Sequence, residues 1–468
     1  MTTVLAVPSY QDGVASIAQT TVGPPMGIAY LAAALEAAGE PVALLDANAE
    51  GLGPAPAAAR ILALRPTFVG FTASTPTLGR CAAIARELRR CGYAGPLAVG
   101  GPHPSAMTEQ TLRDFPVFDV AVAGEAEGRI VALIQALRGG RAPEELPGLA
   151  FFQHEEVRGT GPAPAPPDVD SLPLPARHLL PSGRYRSPDS LHAQTVVATR
   201  GCPAPCSYCA VPGMFGPRVR RRSPEAVADE VRALADDGAD WVNFVDDTFT
   251  WDARWVVDLC DAFVARGLPE RIGWQCLTRV DRVDDELLGA LRRAGCRRVE
   301  LGIECGTRQG LRTLRKRVTR EQIVRAFDAA HEAGLETMAL AMVNAPGEDR
   351  AGVRATWRLL RRLDPDQLQV SVCTPYPGTR LYEEAVRDGA LRTTDWSRYS
   401  FLRSAVFDNG ALSEGEALDA QRMLQLRFWG RPRVIVRLSR RVLREPRSRR
   451  AVLSAAAAGA KRLLTRER

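Results

Sequence analysis

The sequence has no apolar run approaching the roughly 18–20 residues that a membrane-spanning helix needs. The nearest, Ala451 to Ala460, is short, alanine-rich and flanked by basic residues. The N-terminus, MTTVLAVPSY, lacks the basic flank and cleavage site of a secretory signal, so a cytoplasmic protein is expected. Lysine is nearly missing, with two among 61 Lys and Arg. Arginine abundance therefore reflects composition and says little about phosphate binding. No repeat of solenoid length is present. The remainder is ordinary globular composition: 468 residues, 46% hydrophobic and 25% charged, enough for two to four domains with a full core.

The formal charge of +7 is not spread evenly. Residues 427–468 hold 14 Lys and Arg against 2 Asp and Glu, while the rest of the chain holds 47 against 52. The basicity is thus a C-terminal tail and not a nucleic-acid-binding face. Trp429 and interleaved aliphatic residues in that tail make peripheral contact with an anionic membrane one reading. Docking on the acidic remainder of the chain is the other.

Residues 1–140 alternate short apolar runs (Thr3–Pro8, Val42–Asp46, Phe68–Ala73, Leu97–Gly101, Val117–Ala123) with helical patterns near 27–38, 56–64, 77–90 and 128–138. Helices between buried strands predict a parallel α/β sheet, whose ligand crevice lies at the strand C-termini. Gly100, Gly101, His103 and Gly124 fall at such ends. Residues 141–192 lose the pattern and carry eight prolines between Pro162 and Pro188, which predicts a linker. From residue 193 to 400 the alternation resumes with about six βα units, the pattern of a partial or full β/α barrel. Residues 401–468 are helical in pattern, with Ser413 and Glu416 spaced as a capping box.

Ten cysteines in a chain expected to be cytoplasmic argue against a disulfide framework. Three lie within eight residues, just past a strand: Cys202-Pro-Ala-Pro-Cys206-Ser-Tyr-Cys209. Thiolates favour zinc or iron–sulfur centres. Structural zinc needs four closed ligands, and no fourth Cys or His lies nearby. Three cysteines instead leave one iron of a 4Fe–4S cluster open.

This Cx3CxxC spacing, with Tyr208 before the last cysteine, resembles the radical S-adenosylmethionine (SAM) superfamily. Ala198-Thr199-Arg200-Gly201 resembles the end of its first barrel strand. Asn243–Phe249, Glu300–Glu304, Ala345–Glu348 and Thr374–Thr379 resemble later barrel segments. The resemblance implies that Cys202, Cys206 and Cys209 hold a 4Fe–4S cluster whose open iron binds SAM. Reduction then yields a 5′-deoxyadenosyl radical. It also implies that Asp246 and Glu304 lie near SAM. Residues 1–140, through Pro25–Leu31, Leu45-Asp46, Val99–Pro104 and Gly124–Glu127, resemble the Rossmann-like cobalamin-binding domain that precedes the barrel in one subgroup. There, glycines at Gly100, Gly101 and Gly124 would let backbone approach a flat macrocycle.

The chain departs from the pattern in two places. No Asp-x-His-x-x-Gly supplies a histidine to cobalt, which leaves His103 as the candidate nearest the corrin. Cys305 stands where the family commonly has serine. The resemblance implies an enzyme that methylates an unactivated carbon of a small-molecule or lipid-like substrate, with an external electron donor and no nucleic-acid partner. The alternatives are a cobalamin-dependent cyclase or rearrangement enzyme, and a non-catalytic cobalamin sensor.

Overall fold

The computed structural model describes residues 2–10, 23–139, 144–185, 187, 190 and 192–444, so the alanine-rich stretch and much of the basic tail lie outside the described residues. The first sheet has seven strands: β1 (Thr2–Val7), β2 (Val42–Asp46), β3 (Pro66–Thr72), β4 (Leu97–Gly100), β5 (Val120–Val122), β6 (Leu149–Gln153) and β7 (Glu156–Gly159). Their order is β2-β1-β3-β4-β5-β6-β7. The pairs from β2 to β5 are parallel. Side chains alternate between two cores, as a strand's period of two requires. Val4, Ala6, Val69 and Phe71 enter one core, and Leu5, Val7, Phe68 and Val122 the other. Burial on both faces explains the continuous apolar runs in the sequence.

The segment 141–192 departs from the expected linker. Strands β6 and β7 form an antiparallel hairpin on β5 that finishes the first sheet. Leu149, Ala150 and Phe151 are buried there, whereas Glu156, Arg158 and Gly159 are exposed, which left little hydrophobic pattern for the second strand.

The second sheet takes β8 (Ala193–Val196), β11 (Trp241–Phe244), β12 (Gly273–Arg279), β13 (Cys296–Glu304), β14 (Glu336–Val343) and β15 (Gln367–Val372). They follow one another in the order β15-β14-β13-β12-β11-β8, all parallel. Six strands make the partial barrel expected. A two-residue ribbon, β9 (Thr199–Arg200) with β10 (Arg220–Arg221), brackets the cysteine segment. Helices cover the outer face at 224–236, 253–265, 285–293, 320–332 and 350–363. Ser223 and Pro224 open the first of these, but the Ser223 hydroxyl meets Asp170 at 3.2 Å instead of capping the helix. The helix Glu414–Trp429 begins with the Ser413/Glu416 capping box. No described helix is long and apolar enough to cross a membrane.

Candidate active site

Gly201 turns the chain from β9 into the cysteine loop. Its φ is 93°, and a Cβ there would lie 2.3 Å from the Arg218 carbonyl oxygen, so only glycine fits. The loop is then tied to distant backbone. The Ser207 N–H donates to the Leu314 carbonyl at 3.0 Å, and the Leu381 N–H donates to the Ser207 carbonyl at 2.8 Å. Cys202 Sγ lies 3.4 Å from Thr248 Oγ1, and Arg279 Nη1 donates to Cys206 Sγ at 3.4 Å. Burial pushes the Cys209 thiol up to about 12, with Cys206, Asp247 and Cys202 near enough to add to the effect. A thiol so placed becomes a thiolate only when a metal cation binds it. Among the described residues, no three Cys, His, Asp or Glu side chains gather as they would around a single metal ion. Three thiols spread along one loop beside a guanidinium suit a cluster better than one ion.

A cavity of about 310 Å³ opens between the two sheets. The first sheet and its helices give it an apolar wall that includes Leu5, Ile28, Phe68, Val122, Ile130 and Leu133. The barrel contributes Val197, Thr199, Arg200, Val245 and Asp247. Val245 is 53% exposed, an unpacked side chain at the end of β11. Arg200 bridges the units: it meets Glu127 at 2.8 Å and Glu125 at 2.5 Å, and lies 4.9 Å from the centre of the Tyr30 ring. Arg220 also pairs with Glu125. A second junction is aromatic. Trp396 lies 5.0 Å from both His103 and Tyr399, and its Nε1 donates to Asp114 at 3.1 Å.

Gly100, Gly101 and Gly124 line the cavity. For Gly101 and Gly124 the glycine identity has local causes, though. Gly101 has φ 100°, and a Cβ would lie 2.8 Å from Thr72 Oγ1. Gly124 has φ 69°, and a Cβ would meet Ala163 at 2.9 Å. A Cβ on Gly100 would face Val122 at 3.6 Å. Gly27 is the cavity-lining glycine at which an added Cβ meets nothing within 4 Å among the described residues, which leaves space for a ligand.

His103 is not among the cavity-lining residues: its Nδ1 lies 3.1 Å from Thr75 Oγ1, its ring meets the Trp396 edge, and its buried Nε2 has no hydrogen-bond partner among the described residues. Burial lowers its pKa to about 4, so the imidazole is neutral at neutral pH. Asp246 is not among the cavity-lining residues either. Its carboxylate accepts from the Thr199 and Ala198 amides, and burial raises its pKa to about 7. Asp247 lines the cavity, as do Glu125 and Glu127; it accepts from the Gly201 N–H at 3.1 Å, and burial raises its pKa to about 6. Glu304 has φ 57° and pairs with Lys316 at 2.5 Å, with both side chains under 10% exposed. Cys305 is buried and its thiol is pushed up to about 12, an unreactive packing group.

Sequence reasoning missed Lys316 and Arg279. Lys316 carried a usable signal: in a chain with two lysines among 61 Lys and Arg, a lysine marks a place where a compact ammonium fits and a planar guanidinium does not.

Residues 196–360 match the Radical SAM superfamily and residues 14–134 match the B12 binding domain. An uncharacterised methyltransferase of Pyrococcus horikoshii is 31% identical over 438 residues, covering 93% of this chain and 94% of its own. The anaerobic magnesium-protoporphyrin IX monomethyl ester cyclase of Cereibacter sphaeroides is 30% identical over 436 residues, covering 92% of this chain and 70% of its own. Among solved structures, the radical SAM methyltransferase TsrM from Kitasatospora setae, with cobalamin and a [4Fe-4S] cluster bound, shares the fold with a TM-score of 0.70. It is 22% identical, and the match covers 84% of this chain and 76% of that one. The chain is therefore an enzyme of the radical SAM superfamily, in the cobalamin-dependent methyltransferase group that joins a B12-binding domain to the radical SAM domain.

Proposed function

We propose that this enzyme transfers a methyl group to a carbon atom of a small molecule, with cobalamin and SAM meeting in the cavity between its two sheets. The observation that carries this reading is the mixed lining of that one cavity, Gly27 and Gly124 on one side and Thr199, Val245 and Asp247 on the other. Ligands lie at strand C-termini in both architectures, and here the two sets of termini face the same space. Cys202, Cys206 and Cys209 are the proposed holders of the 4Fe–4S cluster. When bound, the cofactors supply the electron that cleaves SAM and the carrier for the methyl group. The chain's part is to position and to exclude water: the Arg200–Glu125–Glu127 junction closes one flank of the cavity, and the apolar wall keeps the rest dry.

The corresponding division of the chain is a cobalamin-binding unit that runs through β7 at Gly159, a connecting segment to about residue 192, the barrel to about 400, and a helical C-terminal region. An external one-electron donor is part of the proposal. So is a lipid-like substrate, approached through a tail that touches a membrane surface.

Cobalt content and labelling test the reading. Reduced, reconstituted enzyme given methyl-labelled SAM should release S-adenosylhomocysteine and retain label in its cobalamin fraction before any substrate is added. With substrate, the label should appear on a product carbon. Formation of 5′-deoxyadenosine with an unlabelled, ring-closed product would replace methyl transfer by cyclisation, the reading that the 30% identical cyclase favours. Cys202→Ala, Cys206→Ala and Cys209→Ala should each fail to hold about four irons.

A further inference from the structure

Arg279 closes strand β12, and its guanidinium has no freedom to swing. Nε donates to Asp281 Oδ1 at 2.8 Å and Nη2 to Asp281 Oδ2 at 3.1 Å. Nη2 also donates to the Lys316 carbonyl at 2.7 Å. The remaining edge carries Nη1, which donates to Cys206 Sγ at 3.4 Å. The side chain is 7% exposed, so water screens this charge little. A fixed cation with a hydrogen bond to one ligand sulfur is more than the loop needs for its shape. Backbone bonds at Ser207 already fix that loop at two points.

We propose that Arg279 sets the reduction potential of the iron–sulfur cluster, acting through Cys206 Sγ. The inference rests on the reading of Cys206 as a cluster ligand. Reduction places one electron, taken from an external one-electron donor, on the cluster, and part of the added negative charge resides on the ligand sulfurs. A donor N–H and a positive charge held against one sulfur stabilise the reduced state more than the oxidised state, which raises the potential. Asp281 tempers the effect, since its carboxylate neutralises the far edge of the same guanidinium. Arg279 is thus a positioning residue for charge and not a catalytic residue.

The test is an EPR-monitored redox titration of the anaerobically reconstituted full chain without SAM. Arg279→Gln should lower the midpoint so that the reduced fraction falls about tenfold at a given potential, a shift of about 59 mV for one electron. Iron content should stay at the wild-type level. Arg279→Lys, which keeps a charge but loses the fork, should fall between the two. Asp281→Asn should move the midpoint the other way, because it removes the opposing charge and keeps a polar partner. That variant decides the matter if Arg279→Gln fails to fold. An unchanged midpoint in an iron-loaded Arg279→Gln, a changed SAM affinity with the midpoint unmoved, or a fall or no change in Asp281→Asn would each overturn the proposal. Failure of the ligand reading shows separately, as a Cys206→Ala variant that still holds a full cluster.

Discussion

Gly27 sits in the first turn of the helix Met26–Ala37, where alanine would favour the helix by about 1 kcal/mol. Among the described residues an added Cβ there meets nothing within 4 Å, and Gly27 lines the cavity, so the cost is met by what the space admits. Gly27→Phe should therefore fold, load iron normally and retain several-fold less cobalamin; the cobalt-to-iron ratio of purified protein checks this. Gly101 is a poorer probe, because any side chain there strikes Thr72 before it reaches a ligand. At this scale the sequence was legible where chemistry depends on spacing along the chain, as in the cysteine triad. It was less legible where chemistry depends on which way a side chain points. Asp246 and Asp247 are neighbours at a strand end; both accept from backbone amides of the 198–201 segment, yet only Asp247 also lines the cavity. His103 was expected near the corrin because it follows a strand terminus, and the sequence could not show that Trp396, almost three hundred residues later, packs against its ring.

The helices and most strands were legible because burial on defined faces writes a period into the sequence. The expected pattern near 27–38 falls on the helix Met26–Ala37, and the one near 77–90 on the helix Leu78–Arg90. Elements too short to carry a period were not legible: the β9–β10 ribbon has two residues in each strand. The last described helix, Pro432–Arg444, has two unlike edges. Arg437 binds Asp366 at 2.8 Å and Asp364 at 2.9 Å, Arg431 also pairs with Asp364, and Val434 is buried, so one face docks on the barrel. Ile435 and Val436 stay about half exposed, with Arg433 beside them. Such an edge can enter an anionic lipid interface. The full chain should sediment with anionic vesicles, and Ile435→Asp combined with Val436→Asp should remove that binding without unfolding the docked face. Equal sedimentation of the two proteins would leave the helix a barrel brace only.

The two sheets are joined by an ionic contact and an aromatic one, both made late in the chain or across it. Removing Arg200 leaves Glu127 unpaired at 6% side-chain exposure and Glu125 with Arg220 alone. Breaking a buried pair from one side costs about 3–5 kcal/mol. Arg200→Ala should lose stability of that order in denaturant titrations, and Arg200→Lys should recover only part of it: Nη1 alone meets both carboxylates, but an ammonium gives up the guanidinium's packing on the Tyr30 ring. The same long reach governs the cysteine loop. Ser207 is held by backbone at Leu314 and Leu381, and its hydroxyl donates to the Thr313 carbonyl 106 positions downstream. In the order of synthesis, the three thiols emerge well before the residues that fix them. At about 5–20 residues per second, the ribosome leaves them without their scaffold for on the order of ten seconds. The birth of this enzyme thus includes an interval in which its most oxygen-vulnerable segment has no fold to shelter it.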